Sequence, residues 1–242
     1  MSISFFLSFS RPASPGARTS DADKSRFIDI LRTTPGLQKA LVYEPQIASD
    51  PYLNDGAPPQ LAAQLYLRQI EDLEAALVPG GHLHERLQAV TETDDFPSLA
   101  GATVTQQAML TRIFSVPDPA FGNTPGTPHC TYLVSYEGSA QDLNAWLHHY
   151  IAHHPRIMAR FPGIREIEIC TRLDWVGFLP WPRVDTMLRN KVVFDSAQAL
   201  TAALNSPVRH EMREDYRNFP PFSGPVSHFP MSTVVILPPA AG

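Results

Sequence analysis

TTPGLQKALVYE (residues 33–44) and RFPGIREIEICT (residues 160–171) follow one plan: the end of a helix, a Pro-Gly pair, then an alternating run. Pro-Gly stops a helix, because proline lacks the N–H that the next turn needs and glycine accepts the left-handed exit. Side chains alternate between the two faces of a strand, so the run that follows reads as a strand with two distinct faces. A second match comes in the same order. LYLRQIEDLEAAL (65–77) lies over VVFDSAQALTAAL (192–204), with Leu67 on Phe194, Leu73 on Leu200 and Leu77 on Leu204. Two matches in the same order point to a duplicated unit.

Working outward, each copy reads strand, helix, strand, strand, helix, strand. In the first copy these are SISFFLSFS, SDADKSRFIDILRTT, LQKALVYEP, a strand running into a helix over 61–77, and ATVTQQAMLTRIFSV. In the second they are CTYLVSYEG, a long helix over 139–161, IREIEICTRLDW, TMLRNKVVFDS, a helix broken near Pro207, and MSTVVIL. Ser139, with Asp142 three residues on, marks the start of the long helix as a weak capping box. The Pro/Gly-rich SVPDPAFGNTPGTPH (115–129) separates the copies, giving halves 1–116 and 129–242 about a linker at 117–128. A βαββαβ unit folds as a four-stranded antiparallel sheet with helices on one face, and its bare face must be covered. The expected fold is therefore α+β: two tandem ferredoxin-like units whose antiparallel sheets pack into one intrachain α+β barrel, with the helices outside.

Composition excludes several classes. The chain has 242 residues, is 43% hydrophobic and 18% charged, and carries a formal charge of −5 with no Lys/Arg block. A nucleic-acid partner would need a basic footprint. No apolar run reaches the ~20 residues that span a bilayer. The opening MSISFFLSFSRPASPG lacks a positive n-region and alternates with Ser, so it reads as a strand rather than a leader. Two cysteines, Cys130 and Cys170, are too few for a disulfide framework and suit a cytoplasmic protein. Gly-rich phosphate loops, a nucleophile elbow and paired CxxC motifs are absent from the sequence.

AWLHHYIAHHPRIMARFPGIREIEI (145–169) resembles the first helix and second strand of EthD-like proteins of the dimeric α+β-barrel superfamily: an aromatic-rich helix, a histidine just before a proline, Pro-Gly, then a strand. SPVRHEMREDYRNF (206–219) is similar to that family's second helix, which tends to end in an Asp and an Asn-Phe pair, here Asp215 and Asn218-Phe219. The first half has no His-Pro and matches only in outline. The resemblance implies a pocket between sheet and helices. It also implies chemistry on aromatic or lactone-like compounds, by enzymes that range from isomerases and cyclases to monooxygenases and haem proteins. Barrels of this superfamily form from two chains and readily assemble further; fusing the two units removes the need to dimerise and leaves homo-oligomers open.

On a helical wheel, Leu143, Trp146, Leu147, Tyr150, Ile157, Met158 and Phe161 share one side, and His154 falls among them. His153 lies at the margin of that side, His149 further out and His148 opposite. A histidine among aromatics is desolvated, which favours its neutral, base-competent form. His154 is thus the expected general acid or base, with a buried, carbonyl-bonded ring as the plain alternative. Pro155 is expected to displace the local turn. His149 and His153 have the i, i+4 spacing of paired metal ligands, although HYIAH lacks the Glu of the zinc-protease pattern and needs a third ligand from elsewhere.

Tyr150 or His153 would assist His154, and Arg172 or Lys191 would steady developing oxyanion charge. Asp174 joins Arg172 as a catalytic candidate at the end of its strand. Trp146, Trp175, Phe178 and Trp181 are expected to contact an aromatic substrate, the last two from a lid loop, VGFLPWPRVD (176–185). Asn190 and Lys191 interrupt an apolar strand, so one must point into a pocket or a seam. On the strand before them, Glu166, Glu168, Cys170 and Arg172 share a polar face that suits an edge or an inter-half seam. Arg209, His210 and Tyr216 are further candidates on a helix read as mainly surface. The functional expectation is a small-molecule enzyme of aromatic, lactone or polyketide-like metabolism. It would use cofactor-free histidine acid/base chemistry of isomerase or lyase type. A haem- or divalent-metal-binding protein of the same fold, or a non-catalytic carrier of hydrophobic ligands, are the alternatives.

Overall fold

The structure is a computed structural model that describes residues 2–239 apart from 54, 89, 93 and 123–125. Its first unit comprises β1 (Ser2–Ser10), α1 (Asp21–Arg32), β2 (Leu37–Pro45), β3 (Leu61–Leu67), α2 (Ile70–Leu77), α3 (His82–Leu87) and β4 (Thr103–Phe114). The second comprises β5 (His129–Glu137), β6 (Ser139–Ala140), α4 (Leu143–Met158), β7 (Ile164–Arg172), β8 (Thr186–Phe194), α5 (Ala197–Leu204), α6 (Pro207–Arg217), β9 (Phe222–Ser223) and β10 (Val226–Ile236). The centre of the expected linker, 123–125, lies outside the described residues.

The eight long strands close into one antiparallel barrel in the order β1-β3-β2-β10-β5-β8-β7-β4. Each unit keeps the ferredoxin-like order, and two seams join the units. At one seam β10 pairs with β2, Met231 opposite Pro45 through Ile236 opposite Ala40. At the other β4 pairs with β7, Met109 opposite Arg172 through Phe114 opposite Ile167. The tandem α+β barrel expected from the repeat is the fold observed. The two Pro-Gly turns occupy equivalent places ahead of β2 and β7, and Gly36 and Gly163 take nearly the same left-handed φ, 76° and 74°. A β-branched residue would be strained there.

Strand alternation sorts the side chains into three cores. Outward residues of β1–β4, joined by Val234 and Ile236 from the end of β10, pack under α1–α3, and outward residues of β5, β7, β8 and the start of β10 pack under α4–α6. Inward residues fill the barrel, which at eight strands is just wide enough for side chains to occupy. The polar face of β7 is one of these inward faces. Lys191 Nζ lies 2.8 Å from Glu166 Oε1 and 3.2 Å from Glu168 Oε1, and donates to Tyr66 Oη at 3.0 Å. Tyr66 in turn donates to Glu168 Oε2 at 2.6 Å. Burial works against the Lys191 ammonium, but the two glutamates outweigh it and hold its pKa above the ordinary lysine range. Lys191 therefore faces the barrel interior, among charges and hydroxyls that satisfy it.

Local details depart from the sequence expectation in three places. Asp142, not Ser139, caps α4, accepting from Ala145 N at 3.0 Å. α4 runs unbroken through Pro155. β10 begins at Val226, five residues before the expected start. Its first part, 226–229, pairs only with β5; the register with β2 starts at Met231, and Pro230 O accepts from Gln46 N at 3.0 Å where that pairing ends. The end of that pairing tolerates Pro230, whose missing N–H would interrupt a central ladder.

The loops that follow β2 and β7 cross to the opposite unit. The β7–β8 loop, 173–185, lies on the first unit. Trp175 meets Phe5 edge-on at 6.5 Å, and Trp181 meets Phe9 at 5.8 Å. Gln106 Nε2 donates to the carbonyls of Leu179 (3.2 Å) and Trp181 (2.7 Å), and Phe178 N donates to Leu77 O at 3.0 Å. Leu179 is buried there, while the Phe178 side chain is exposed. Leu179→Ala should cost about 2–5 kcal/mol in urea unfolding, while leaving ligand binding in the second unit unchanged by fluorescence titration.

Candidate functional site

A cavity of about 340 Å³ opens between the sheet and the helices of the second unit. Its floor is the outward face of β5, β8 and β10. His228, Val134 and Asn190 form one row across it, since Val134 is the register partner of both others. Tyr132 and Tyr136 flank Val134 on β5. α4 contributes His154 and Met158 to the roof, and α6 contributes Arg209, Met212, Arg213 and Tyr216. Tyr52 and Leu53 reach in from the β2–β3 loop of the first unit. The wall is thus largely aromatic and apolar with a few converging polar groups, the usual make-up of a small-molecule site.

The α4 sequence explains why His154 faces inward. Trp146, Tyr150, His154 and Met158 recur at four-residue intervals and are all buried. Trp146 stacks on Tyr150 at 5.1 Å between centroids, and Phe219 meets the His154 ring edge-on at 5.0 Å. His154 Nδ1 lies 2.7 Å from Asp215 Oδ2 on α6. Burial depresses the His154 pKa below the ordinary histidine value, and Asp215 only partly offsets it. Burial would raise the Asp215 pKa, but hydrogen bonds from His154 and His149 win and hold it below the usual carboxylate range. An ionised Asp215 fixes the proton on Nδ1 of a neutral ring, which leaves Nε2 as the basic atom.

A second imidazole–carboxylate pair shares the cavity. His228 Nδ1 lies 2.7 Å from Asp55 Oδ2, and burial again lowers the histidine pKa more than the carboxylate raises it. Asp50 accepts from Tyr132 Oη at 2.8 Å and from Arg209 Nε at 3.0 Å, tying the β2–β3 loop across the seam to the floor and roof. Tyr52 bonds His210 and lies 4.2 Å beneath the Arg213 guanidinium. His228, Asp50, Tyr52 and Asp55 are not among the residues that the sequence singles out. The surface reading of Arg209 is corrected: Arg209 is mostly buried against Asp50.

Of the residues singled out by sequence, His154 and Asn190 lie on the cavity wall. Tyr150 is fully buried behind it, with its hydroxyl accepting from Asn190 Nδ2 at 2.5 Å, and Trp146 lies deeper still. Arg172 is away from the cavity, paired with Asp185 at 2.8 Å, and Asp174 is exposed. Trp175, Phe178 and Trp181 sit on the first unit, and Lys191 is inside the barrel. The helical-wheel order of the outer histidines is reversed: His149 is half-buried, 3.2 Å from Asp215 Oδ1, and His153 is exposed. Asp215 supplies the third residue that a His149/His153 metal pair lacked in sequence: ligand atoms of the three lie within 4.8 Å of one another. No helix among the described residues is long and apolar enough to cross a membrane.

No protein-family model matches the sequence, and no curated protein does. Solved structures do. An anthrone oxidase-like protein superposes with a TM-score of 0.58 at 14% identity, covering 99% of this chain and 97% of the other. A putative monooxygenase from Fusobacterium nucleatum subsp. nucleatum gives 0.56 at 7% identity over 98% and 94%. An ethyl tert-butyl ether D (EthD) family protein from Bacillus halodurans matches 41% of this chain with 96% of its own length, at 16% identity and a TM-score of 0.33. At such identities the two full-length matches show a shared fold.

Two buried histidines with lowered pKa values set the sign of an acid effect. Between the folded pKa and the ordinary ~6.5, the unfolded chain binds more protons than the folded one. Stability then rises with pH. The contribution of His154 and His228 is complete above about pH 6.5 and is lost as pH falls toward their folded values. Urea midpoints should stay level from pH 7.5 to about 6.5 and then fall toward pH 5, less steeply in His228→Gln.

Proposed function

We propose that the cavity is the active site of a small-molecule enzyme that moves protons on an aromatic or polyketide-like compound without a cofactor. The observation that carries this reading is the His154–Asp215 pair: a buried imidazole on the wall of an aromatic cavity, with its Nδ1 2.7 Å from a carboxylate oxygen. Fold neighbours described as an oxidase-like protein and a monooxygenase are in keeping with a small-molecule enzyme.

The proton transfer is simple. Nε2 of His154 takes a proton from an acidified C–H or O–H of the ligand, and the ring becomes imidazolium, steadied by Asp215. The same nitrogen returns the proton at another position, which gives an isomerisation, or to a leaving group, which gives a lyase step. General acid–base catalysis of this kind contributes roughly 10²–10⁴-fold. Tyr132, Tyr136 and Tyr216 shape a flat, apolar slot. Arg209, Arg213 and His228 supply positive charge or hydrogen bonds to an enolate or phenolate oxygen.

A haem-binding reading draws on the same pair. A metal-ligating histidine gives its other N–H to a carboxylate, a backbone carbonyl or water, and His154 has such a carboxylate in Asp215. Were haem held there, His154 would be the residue that holds it, and the group would supply redox chemistry.

Exchange of the enolisable protons of 2-tetralone in D₂O, followed by NMR with EDTA present, tests the proton-transfer reading. The protein should accelerate exchange. His154→Ala should remove at least about 10²-fold of the acceleration, with Tm changed by only a few degrees. Asp215→Asn should slow exchange less. It should also move the acid limb of the pH profile to lower pH, since it removes the group that raises the His154 pKa. Binding of 2-tetralone without exchange, or full exchange in His154→Ala, would reject the reading. A Soret band shifted on hemin titration and lost in His154→Ala would select the haem reading.

A further inference from the structure

On the side of the roof turned away from the cavity, α4 and α6 bring together His149, His153 and Asp215. Among the described residues, they form the His/Asp group whose ligand atoms all lie within 4.8 Å of one another. The i, i+4 spacing puts both imidazoles on one face of α4, where the rings stand perpendicular with centroids 4.7 Å apart. Asp215 faces them from α6, with Oδ1 3.2 Å from His149 Nε2. A tetrahedral zinc ion with bonds of about 2.0–2.1 Å holds its ligand atoms roughly 3.3 Å apart. The His149–Asp215 separation already matches that spacing. His153 is exposed, so its ring is free to rotate the remaining distance without disturbing the core.

We propose that His149, His153 and Asp215 bind one divalent transition-metal ion of the zinc class, with water completing a four-coordinate shell. Two imidazoles and one carboxylate are a borderline donor set that suits zinc, nickel or copper. Calcium and magnesium prefer oxygen ligands, and this group has one carboxylate. The ion ties α4 to α6, the two helices that roof the cavity. It uses Asp215 Oδ1, while Oδ2 stays on His154, so the ion stands one carboxylate behind the cavity imidazole. The assignment holds whether or not the cavity is catalytic.

The test is zinc titration of the full, chelator-stripped and tag-free chain, by calorimetry and by competition with a chromophoric zinc indicator. One ion should bind per chain. At about 100 times Kd, zinc should raise Tm by roughly 5–10 °C. His153→Ala and His149→Ala should each weaken binding by at least the ~10-fold that loss of even an outer-shell partner costs. His148→Ala removes an exposed imidazole from the opposite side of α4 and should leave binding unchanged. Because His153 is exposed, its alanine variant keeps the fold and isolates the ligand role. No saturable binding, or binding that survives both His149→Ala and His153→Ala, would overturn the assignment, as would binding lost in His148→Ala.

Discussion

Two backbone seams, β2 against β10 and β4 against β7, turn two open sheets into one closed barrel. An open sheet leaves rows of unpaired N–H and C=O groups along its edges. Here each edge strand finds its partner in the other unit, so no long strand has both sides open. Closure also dictates where the long loops go. The loop after β2 and the loop after β7 leave the barrel at the seams, and each lands on the helical layer of the opposite unit. The side-chain network around Lys191, Glu166, Glu168 and Tyr66 lies inside the barrel between the two sheets, where unpaired charges would be costly.

The exchange of loops breaks the symmetry of the repeat. In the first unit the arriving loop brings Trp175, Leu179 and Trp181, which bury themselves in the helical layer. In the second unit the arriving loop brings Asp50, Tyr52, Leu53 and Asp55, which are smaller or polar and stop at the wall. The difference between a filled layer and a 340 Å³ cavity thus follows from what each loop carries. The Asp215 carboxylate then joins the cavity to the outer face of the roof, since its two oxygens serve His154 on one side and His149 on the other.

Much of the fold was legible because its signals are local. The Pro-Gly turns, the alternation of 164–172 and the helical spacing of Trp146, Tyr150, His154 and Met158 each act over a few residues. The inward charged face of β7 was legible as a seam for the same reason. His228 was hidden by Pro225 and Pro230, which argue against a strand unless one side of it is unpaired. Asp50, Tyr52 and Asp55 lie in a proline-rich loop with no periodicity, and they reach the cavity only through closure across the seam. The aromatic loop 176–185, expected as a lid over a substrate, instead covers the first unit, because sequence shows that a loop carries tryptophans, not which layer it will cover. α3 spans six residues, too few to display a helical period.

The crossed loops make the two units mutually dependent. A fragment holding only the second unit would keep His154, Asp215 and His228 yet lack Asp55, so an imidazole shaped for a carboxylate neighbour would be left alone. The companion fragment would lose the tryptophans that fill its helical layer. Selection on either loop therefore acts on the chemistry or packing of a unit to which it does not belong in sequence, and a change in one copy of the repeat is felt first in the other.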